Sequence, residues 1–323
     1  MSSAKKVRKY IREYKVRDMV AMARNGKTLP AGCDQDFHGR HVVITGATSG
    51  IGYHTARTFA ARGANLICVN RNPEKSQALS DEITSEFGCS CETIIADMSR
   101  LSDARRVGGA LAARAGPIDV LIHNAGLFLT RRTTTADGLE TVFVVNYLSS
   151  FVINYLVADK LVSQESARIL LVNSEGHRFA AWGLDLDDMN WDRRRYSGLK
   201  SYGSAKTAQL LSMISFSDRF AGTGVTINAM HPGAVKSATG GDNGRFYRWF
   251  KENVLERNLR PAQISADALY YLGVSRELDG VGGAFFSLTT RENPAPPAVD
   301  REVAAELWER SLEWADLETT EEH

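Results

Sequence analysis

His41-Val-Val-Ile-Thr45-Gly46-Ala47-Thr48-Ser49-Gly50-Ile51-Gly52 decides how the rest of the chain is read. The opening His41 to Ile44 is a short apolar run typical of a buried strand, and the glycines of Gly46-x-x-x-Gly50-x-Gly52 follow at once. Helical periodicity then covers residues 50–62, and a second apolar run, Asn65-Leu-Ile-Cys-Val69, comes after it. The glycines therefore sit in the strand-to-helix turn of a βαβ unit. Glycine spacing alone is a weak signal, because any tight turn can carry it. In this position it says more: glycines there let the backbone approach a pyrophosphate at the positive end of a helix.

Working outward, strand-like and helix-like segments keep taking turns. Helices are expected at 74–86, 102–114, 138–163 and 200–220, with strands at Glu92–Ala96, Ile118–Ile122, Arg168–Val172, Thr226–Met230 and Ala284–Phe286. Crossover helices between strands imply parallel pairing. The expected fold is α/β: a doubly wound, Rossmann-type, seven-stranded parallel sheet in a single domain spanning residues 38–292. Residues 1–37 read as a basic helical extension. Residues 293–323, opened by the connector Asn293-Pro-Ala-Pro-Pro297, read as an acidic helical tail.

Composition is that of an ordinary globular protein, 43% apolar and 24% charged. The net charge of +1 hides two poles: residues 1–27 carry nine Lys or Arg against two acids, and residues 300–323 carry nine acids against two Arg. Four cysteines in this length make no disulfide framework, and Cys89-x-Cys91 lacks a second ligand pair, so free thiols and no metal are expected. No secretory signal or membrane-spanning run is recognised, which points to the cytoplasm. Nucleic acid is not an expected partner, because the basic charge is confined to one end. Val7, Tyr10, Ile11 and Tyr14 stand at helical spacing in that basic end. Three readings stay open: a peripheral membrane contact, docking on the acidic tail in cis or across a homo-oligomer, and a solvated helix.

At the end of the second strand the chain reads Val69-Asn70-Arg71-Asn72, a cation where an NAD site normally offers a carboxylate to the ribose. The expected cofactor is therefore NADP(H), with Arg71 on the 2′-phosphate. Proton chemistry points to Tyr202-Gly-Ser-Ala-Lys206, where a phenol and an ammonium four residues apart share a helix face, so that the cation can lower the Tyr202 pKa. Tyr196-x-x-x-Lys200 repeats the spacing, and spacing alone does not choose. The acidic stretch Asp185 to Asp192 reads as a solvated insertion, and His177 and His231 as structural histidines.

From about Gly39 to Trp314 the chain resembles the classical short-chain dehydrogenases/reductases. The resemblance rests on Thr45 to Gly52, Asp97, Asn124-Ala125-Gly126, Asn146, Ser174, Tyr202 with Lys206, and Pro232-Gly233. Arg195-Tyr196-Ser197 ahead of Tyr202, and Leu307-Trp308-x-x-Ser311, are most similar to the retinol-dehydrogenase branch, where the later tyrosine is the acid. The resemblance implies a catalytic set of Asn146, Ser174, Tyr202 and Lys206. Ser174 would hydrogen-bond the substrate oxygen, Tyr202 would protonate it, Lys206 would also hold the nicotinamide ribose, and Asn146 would position a water. It implies cofactor contacts from Gly46, Ser49, Gly50, Ile51, Gly52, Arg71, Asp97, Met98, Asn124, Ala125, Gly126, Tyr202, Lys206, Pro232, Gly233, Val235 and Ser237. Two departures stand out: Asn173 replaces the first of the family's two serines, and His123 precedes Asn124 where the family prefers a second asparagine.

Residues 238–260 fall where the family places a substrate lid, and Phe246, Tyr247, Trp249 and Phe250 there fit either a bulky, lipophilic substrate or the core face of an amphipathic helix. The expected activity is NADP(H)-dependent interconversion of a carbonyl and an alcohol. Reduction of a conjugated C=C bond and a catalytically silent cofactor-binding role are the alternatives.

Overall fold

The structure, a computed structural model, describes residues 9–25, 28–235 and 260–317. Its centre is β1 (His41–Thr45), paired in parallel with β2 (Asn65–Asn70) on one side and β4 (Val120–His123) on the other. β3 (Cys91–Ile95), β5 (Ala167–Val172), β6 (Val225–His231), β7 (Phe285–Ser287) and β8 (Thr290–Glu292) complete an eight-stranded sheet in the order β3-β2-β1-β4-β5-β6-β7-β8. The chain reverses its direction of winding between β1 and β4, and in such sheets ligands bind at the carboxyl ends beside that reversal.

Alternation along β1 shows why these residues are strand. Val42 and Ile44 enter one core and Val43 the other, all with no exposed surface. The first core receives helices α2 (Gly50–Ala60), α3 (Pro73–Phe87) and α7 (Gln263–Val274). The second receives α4 (Leu101–Ala112), α5 (Thr141–Val162), α6 (Gly198–Arg219) and α8 (Arg301–Ala315). An N-terminal helix α1 (Val16–Asn25) lies outside both. By length and composition α5 is apolar enough to cross a membrane, but 78% of its apolar window is buried inside the fold.

The expected seven parallel strands need one correction, because β8 is an eighth strand and runs antiparallel to β7. Its turn is Leu288-Thr289, with Leu288 in the left-handed region at φ 54°. Gly or Asn usually marks that conformation, so the hairpin carries no ordinary turn signal. The expected continuous helix over 138–163 also differs: it starts at Thr141 and widens into a π turn at Val144–Leu148, which a 3.6-residue period does not reveal.

Candidate active site

A cleft of about 640 Å³ opens at the carboxyl ends of the central strands. Its floor is the glycine turn. Gly46 adopts φ 72°, and a Cβ there would lie 3.1 Å from Ala125 Cα. A Cβ on Gly52 would stand 2.1 Å from the Gly46 carbonyl oxygen, so this glycine lets α2 pack on the turn rather than lining the cleft. The side chain of Asn124 donates to the carbonyls of Thr45 and Gly46, at 3.0 and 2.9 Å, while Thr45 Oγ1 accepts from the amides of Asn124 and Ala125 at 3.0 Å each. The loops after β1 and β4 are thereby locked together. Ser49 enters α2 in extended backbone without capping it, which leaves the first-turn amides to an anion.

The rim at the end of β2 is polar and positive. Asn70 Oδ1 accepts from Ala47 N at 2.7 Å, whereas its buried Nδ2 has no hydrogen-bond partner among the described residues. Arg71 and Lys75 are exposed, line the cleft and form no ion pair among the described residues. An unsatisfied buried amide, a backbone cradle that a Cβ would fill and two free cations fit a phosphate-rich dinucleotide.

At the far end, β5 delivers Ser174. Its amide donates to Asn173 Oδ1 at 2.8 Å, and its Oγ accepts from Gly176 N at 3.0 Å. Ser174 and Tyr202, on α6, both line the cleft, and the Ser174 hydroxyl favours the ionised form of the phenol. A Cβ on Gly176 would lie 2.6 Å from the Tyr202 ring, so only glycine lets the ring lie against this turn. Lys206, one turn along α6 and 3% exposed, donates to Val172 O at 2.7 Å, with its Nζ 5.8 Å from the Tyr202 ring centroid. Burial pulls the Lys206 ammonium down to about 7. The expectation that Lys206 lowers the Tyr202 pKa is corrected here. Burial pushes the phenol up, the opposing contribution comes from Ser174, and the ammonium is committed to the Val172 carbonyl.

Asn173 is the bridge between the two halves of this group. Its Nδ2 donates to Lys206 O at 2.9 Å and to Gln209 Oε1 at 2.8 Å, while its Oδ1 holds the Ser174 amide. Asn146 sits in the π turn. Its Nδ2 donates to Leu127 O and Val142 O at 2.8 and 2.9 Å, and its Oδ1 accepts from Leu127 N at 3.2 Å. It therefore shapes the loop beside Tyr202.

Of the residues expected from sequence, Gly46, Ser49, Gly50, Ile51, Arg71, Asp97, Met98, Asn124, Ala125, Gly126, Asn146, Ser174, Tyr202, Lys206, Pro232, Gly233 and Val235 line this one cleft. Ser237 and residues 238–259 of the expected lid lie outside the described residues. Sequence reasoning missed Asn70 and Lys75, although Lys75 stands four residues after Arg71, in the first turn of α3, and it missed the Asn173–Gln209 bridge. His177 is structural: its Nδ1 meets Ser174 O at 2.8 Å, Ala295 N donates to its Nε2 at 3.0 Å, and burial lowers its pKa to about 3. His231 lines the cleft, with burial lowering it to about 4.

Residues 40–183 match the family described as short chain dehydrogenase. The chain is 34% identical over 285 residues to retinol dehydrogenase 13 of Homo sapiens, an alignment spanning 87% of this chain and 86% of that one. It is also 34% identical over 274 residues to a provisionally named daunorubicin C-13 ketoreductase of Streptomyces sp. (strain C5), spanning 84% of this chain and 91% of the other. Among solved structures, an uncharacterised protein from Mycobacterium paratuberculosis superposes with a TM-score of 0.68 at 29% identity, covering 91% of this chain and 97% of that one. The chain belongs to the short-chain dehydrogenase/reductase family, oxidoreductases that use a nicotinamide cofactor. Within that family it falls in the retinol-dehydrogenase-like branch.

Proposed function

We propose that the chain is an NADP(H)-dependent oxidoreductase that interconverts a carbonyl and an alcohol on a lipophilic small molecule, with Tyr202 as general acid and base. The observation that carries this reading is that Ser174, Tyr202 and Lys206 line the same cleft as the glycine turn, with Lys206 Nζ 5.8 Å from the Tyr202 ring centroid.

The nicotinamide, when bound, supplies or accepts the hydride. The protein manages the oxygen. Ser174 donates a hydrogen bond to the carbonyl oxygen, and the Tyr202 phenol gives that oxygen its proton, so the developing alkoxide never stands as a free anion. Lys206, held by the Val172 carbonyl, keeps a positive charge near the developing alkoxide. In oxidation the same groups act in reverse, Tyr202 taking the alcohol proton.

Preference for the phosphorylated cofactor is supported by Arg71 and Lys75, cations without an ion pair among the described residues, where a ribose-binding carboxylate would otherwise stand. A lipophilic substrate is supported by Phe128, edge-on to Tyr202 at 5.9 Å, and by the names of the two relatives, which describe a retinol dehydrogenase and a ketoreductase. The test is cofactor consumption with NADPH and with NADH against a panel of hydrophobic aldehydes and ketones, with products identified. Alcohol products with NADPH favoured, and a shift of at least about tenfold toward NADH in Arg71→Asp, are expected. A product saturated at C=C with its carbonyl intact, or no turnover, defeats the reading.

A further inference from the structure

Helix α1 turns its faces the opposite way from a core-facing helix. Asp18, Ala21, Met22 and Asn25, at i, i+3, i+4 and i+7, face the protein or lie half-buried. Asn25 donates to Glu292 Oε2 at 3.0 Å, and Asp18 Oδ1 accepts from Asn293 Nδ2 at 3.1 Å. Val16, Met19, Val20 and Ala23 repeat the same spacing on the solvent side. Val16 is 77% exposed, Met19 57% and Val20 61%, and Ile11 just before the helix is 57% exposed. Polar groups hold this helix to the protein, and its aliphatic stripe faces water, where such a stripe is unfavourable unless something covers it.

Cations flank the stripe. Arg12, Lys15, Arg17 and Arg24 are exposed, and Arg12, Lys15 and Arg24 form no ion pair among the described residues. The tyrosines that sequence places on an apolar face are used elsewhere: Tyr10 donates to Asp300 Oδ2 at 2.6 Å, beside the Lys9–Asp300 ion pair, and Tyr14 donates to Ala181 O at 2.9 Å. Acidic groups of the C-terminal segment thus neutralise Lys9, while the cations around the stripe keep their charge.

We propose that this face of α1 is an interfacial anchor that lies flat on an anionic phospholipid bilayer. Val16, Met19 and Val20 enter the boundary between headgroups and acyl chains, and Lys15, Arg17 and Arg24 meet lipid phosphates. Charge complementarity selects this occupant: a surface of spaced aliphatics rimmed by exposed cations, of which Arg12, Lys15 and Arg24 form no ion pair among the described residues, matches a layer of apolar chains under negative headgroups. A second copy of the chain fits less well, because two such faces brought together by a twofold axis would oppose cation to cation. The anchor is tied to the cleft. Asn25 holds Glu292, Glu292 pairs with Arg178 at 2.8 Å, and Arg178 pairs at 2.5 Å with Glu175, the residue after Ser174. A docked α1 therefore fixes the end of β5 relative to the bilayer, independently of which reaction the cleft performs.

The test is co-sedimentation of the full chain with vesicles of phosphatidylcholine containing phosphatidylserine, and with phosphatidylcholine vesicles alone. Pelleting with the anionic vesicles is expected, weaker by at least about tenfold on the neutral ones and in high salt. Met19→Glu with Val20→Glu removes the pelleting without changing circular dichroism or the melting temperature. Lys15→Gln with Arg17→Gln and Arg24→Gln lowers it on anionic vesicles only. Equal pelleting of the double glutamate variant overturns the proposal, as does no pelleting of the unaltered chain. A concentration-dependent dimer in sedimentation velocity that the glutamate variant disperses, without vesicle binding, would assign the face to a second copy instead.

Discussion

Tyr196 with Lys200 and Tyr202 with Lys206 repeat one spacing six residues apart, yet they occupy different physical worlds. Helix α6 begins at Gly198, with the Ser197 side chain accepting from Lys200 N as its cap. Tyr196 therefore precedes the helix and shares no helical face with Lys200, which is exposed. Its phenol is turned to Glu140 Oε1 at 3.2 Å and Leu129 O at 3.4 Å, and burial with the Glu140 charge pushes its pKa up to about 12. Tyr202 and Lys206 both lie inside the helix, and both line the cleft together with Ser174. An i, i+4 rule is a statement about helices, so the cap residue decides which pair it applies to.

The hardest test of that contrast is Tyr202→Phe. Loss of the proton donor should lower kcat by at least about 100-fold with NADPH binding retained, measured by steady-state kinetics and by cofactor titration. Comparable loss in Tyr196→Phe with Tyr202→Phe active would reverse the assignment. A pH profile sharpens the same point. Lys206 ordinarily loses its proton near 10.5 and here loses it at about 7, so its positive charge disappears as pH rises through about 7. The expected kcat/KM for carbonyl reduction falls above that value, by about tenfold per pH unit. Stability carries the opposite sign. Between about 7 and 10.5 the unfolded chain binds a proton that the folded chain does not, so the Lys206 contribution makes urea stability rise with pH across that window. In Lys206→Met this part of the slope should vanish.

Asn173→Ala should have a smaller effect than Tyr202→Phe on rate and a larger one on stability. Asn173 is 2% exposed and bonds Ser174 N, Lys206 O and Gln209 Oε1 at once. Removing it strands buried donors and acceptors at a cost of about 1–3 kcal/mol, read from urea unfolding. With Ser174 and Lys206 less firmly placed, kcat should drop by about tenfold while KM for NADPH stays near its original value. Loss of stability without loss of kcat would make Asn173 a packing residue only.

The βαβ rhythm was legible because buried parallel strands are written as short apolar runs, and the glycine turn because close backbone approach tolerates no Cβ. What stayed hidden depends on contacts across the fold. The π turn that seats Asn146 leaves the apolar pattern of α5 unchanged. The β7–β8 hairpin turns on Leu288, a residue that does not mark a turn. Asn70 gains meaning only when Ala47 stands opposite it, and the solvent-facing stripe of α1 only when Asn25 and Asp18 are seen to hold the other side. Periodicity reveals that a helix has two faces; it does not say which one the protein keeps.

Tyr196→Phe is the mildest change and isolates what the unused tyrosine does. Glu140 has no exposed surface, and burial raises its pKa against the hydrogen bonds it accepts from Phe143 N and Tyr196. Deleting the phenol hydroxyl leaves Oε1 with less compensation, so the carboxyl should protonate at still higher pH and the fold should lose about 1–2 kcal/mol. That loss should appear above the Glu140 pKa and shrink as acid protonates the group, because a neutral carboxyl needs the missing donor less. Activity should stay within about threefold of the unaltered enzyme, since no atom of Tyr196 lines the cleft. A stability loss without a kinetic one would show that the first tyrosine of the repeated spacing serves the buried Glu140 carboxyl, leaving acid chemistry to the second.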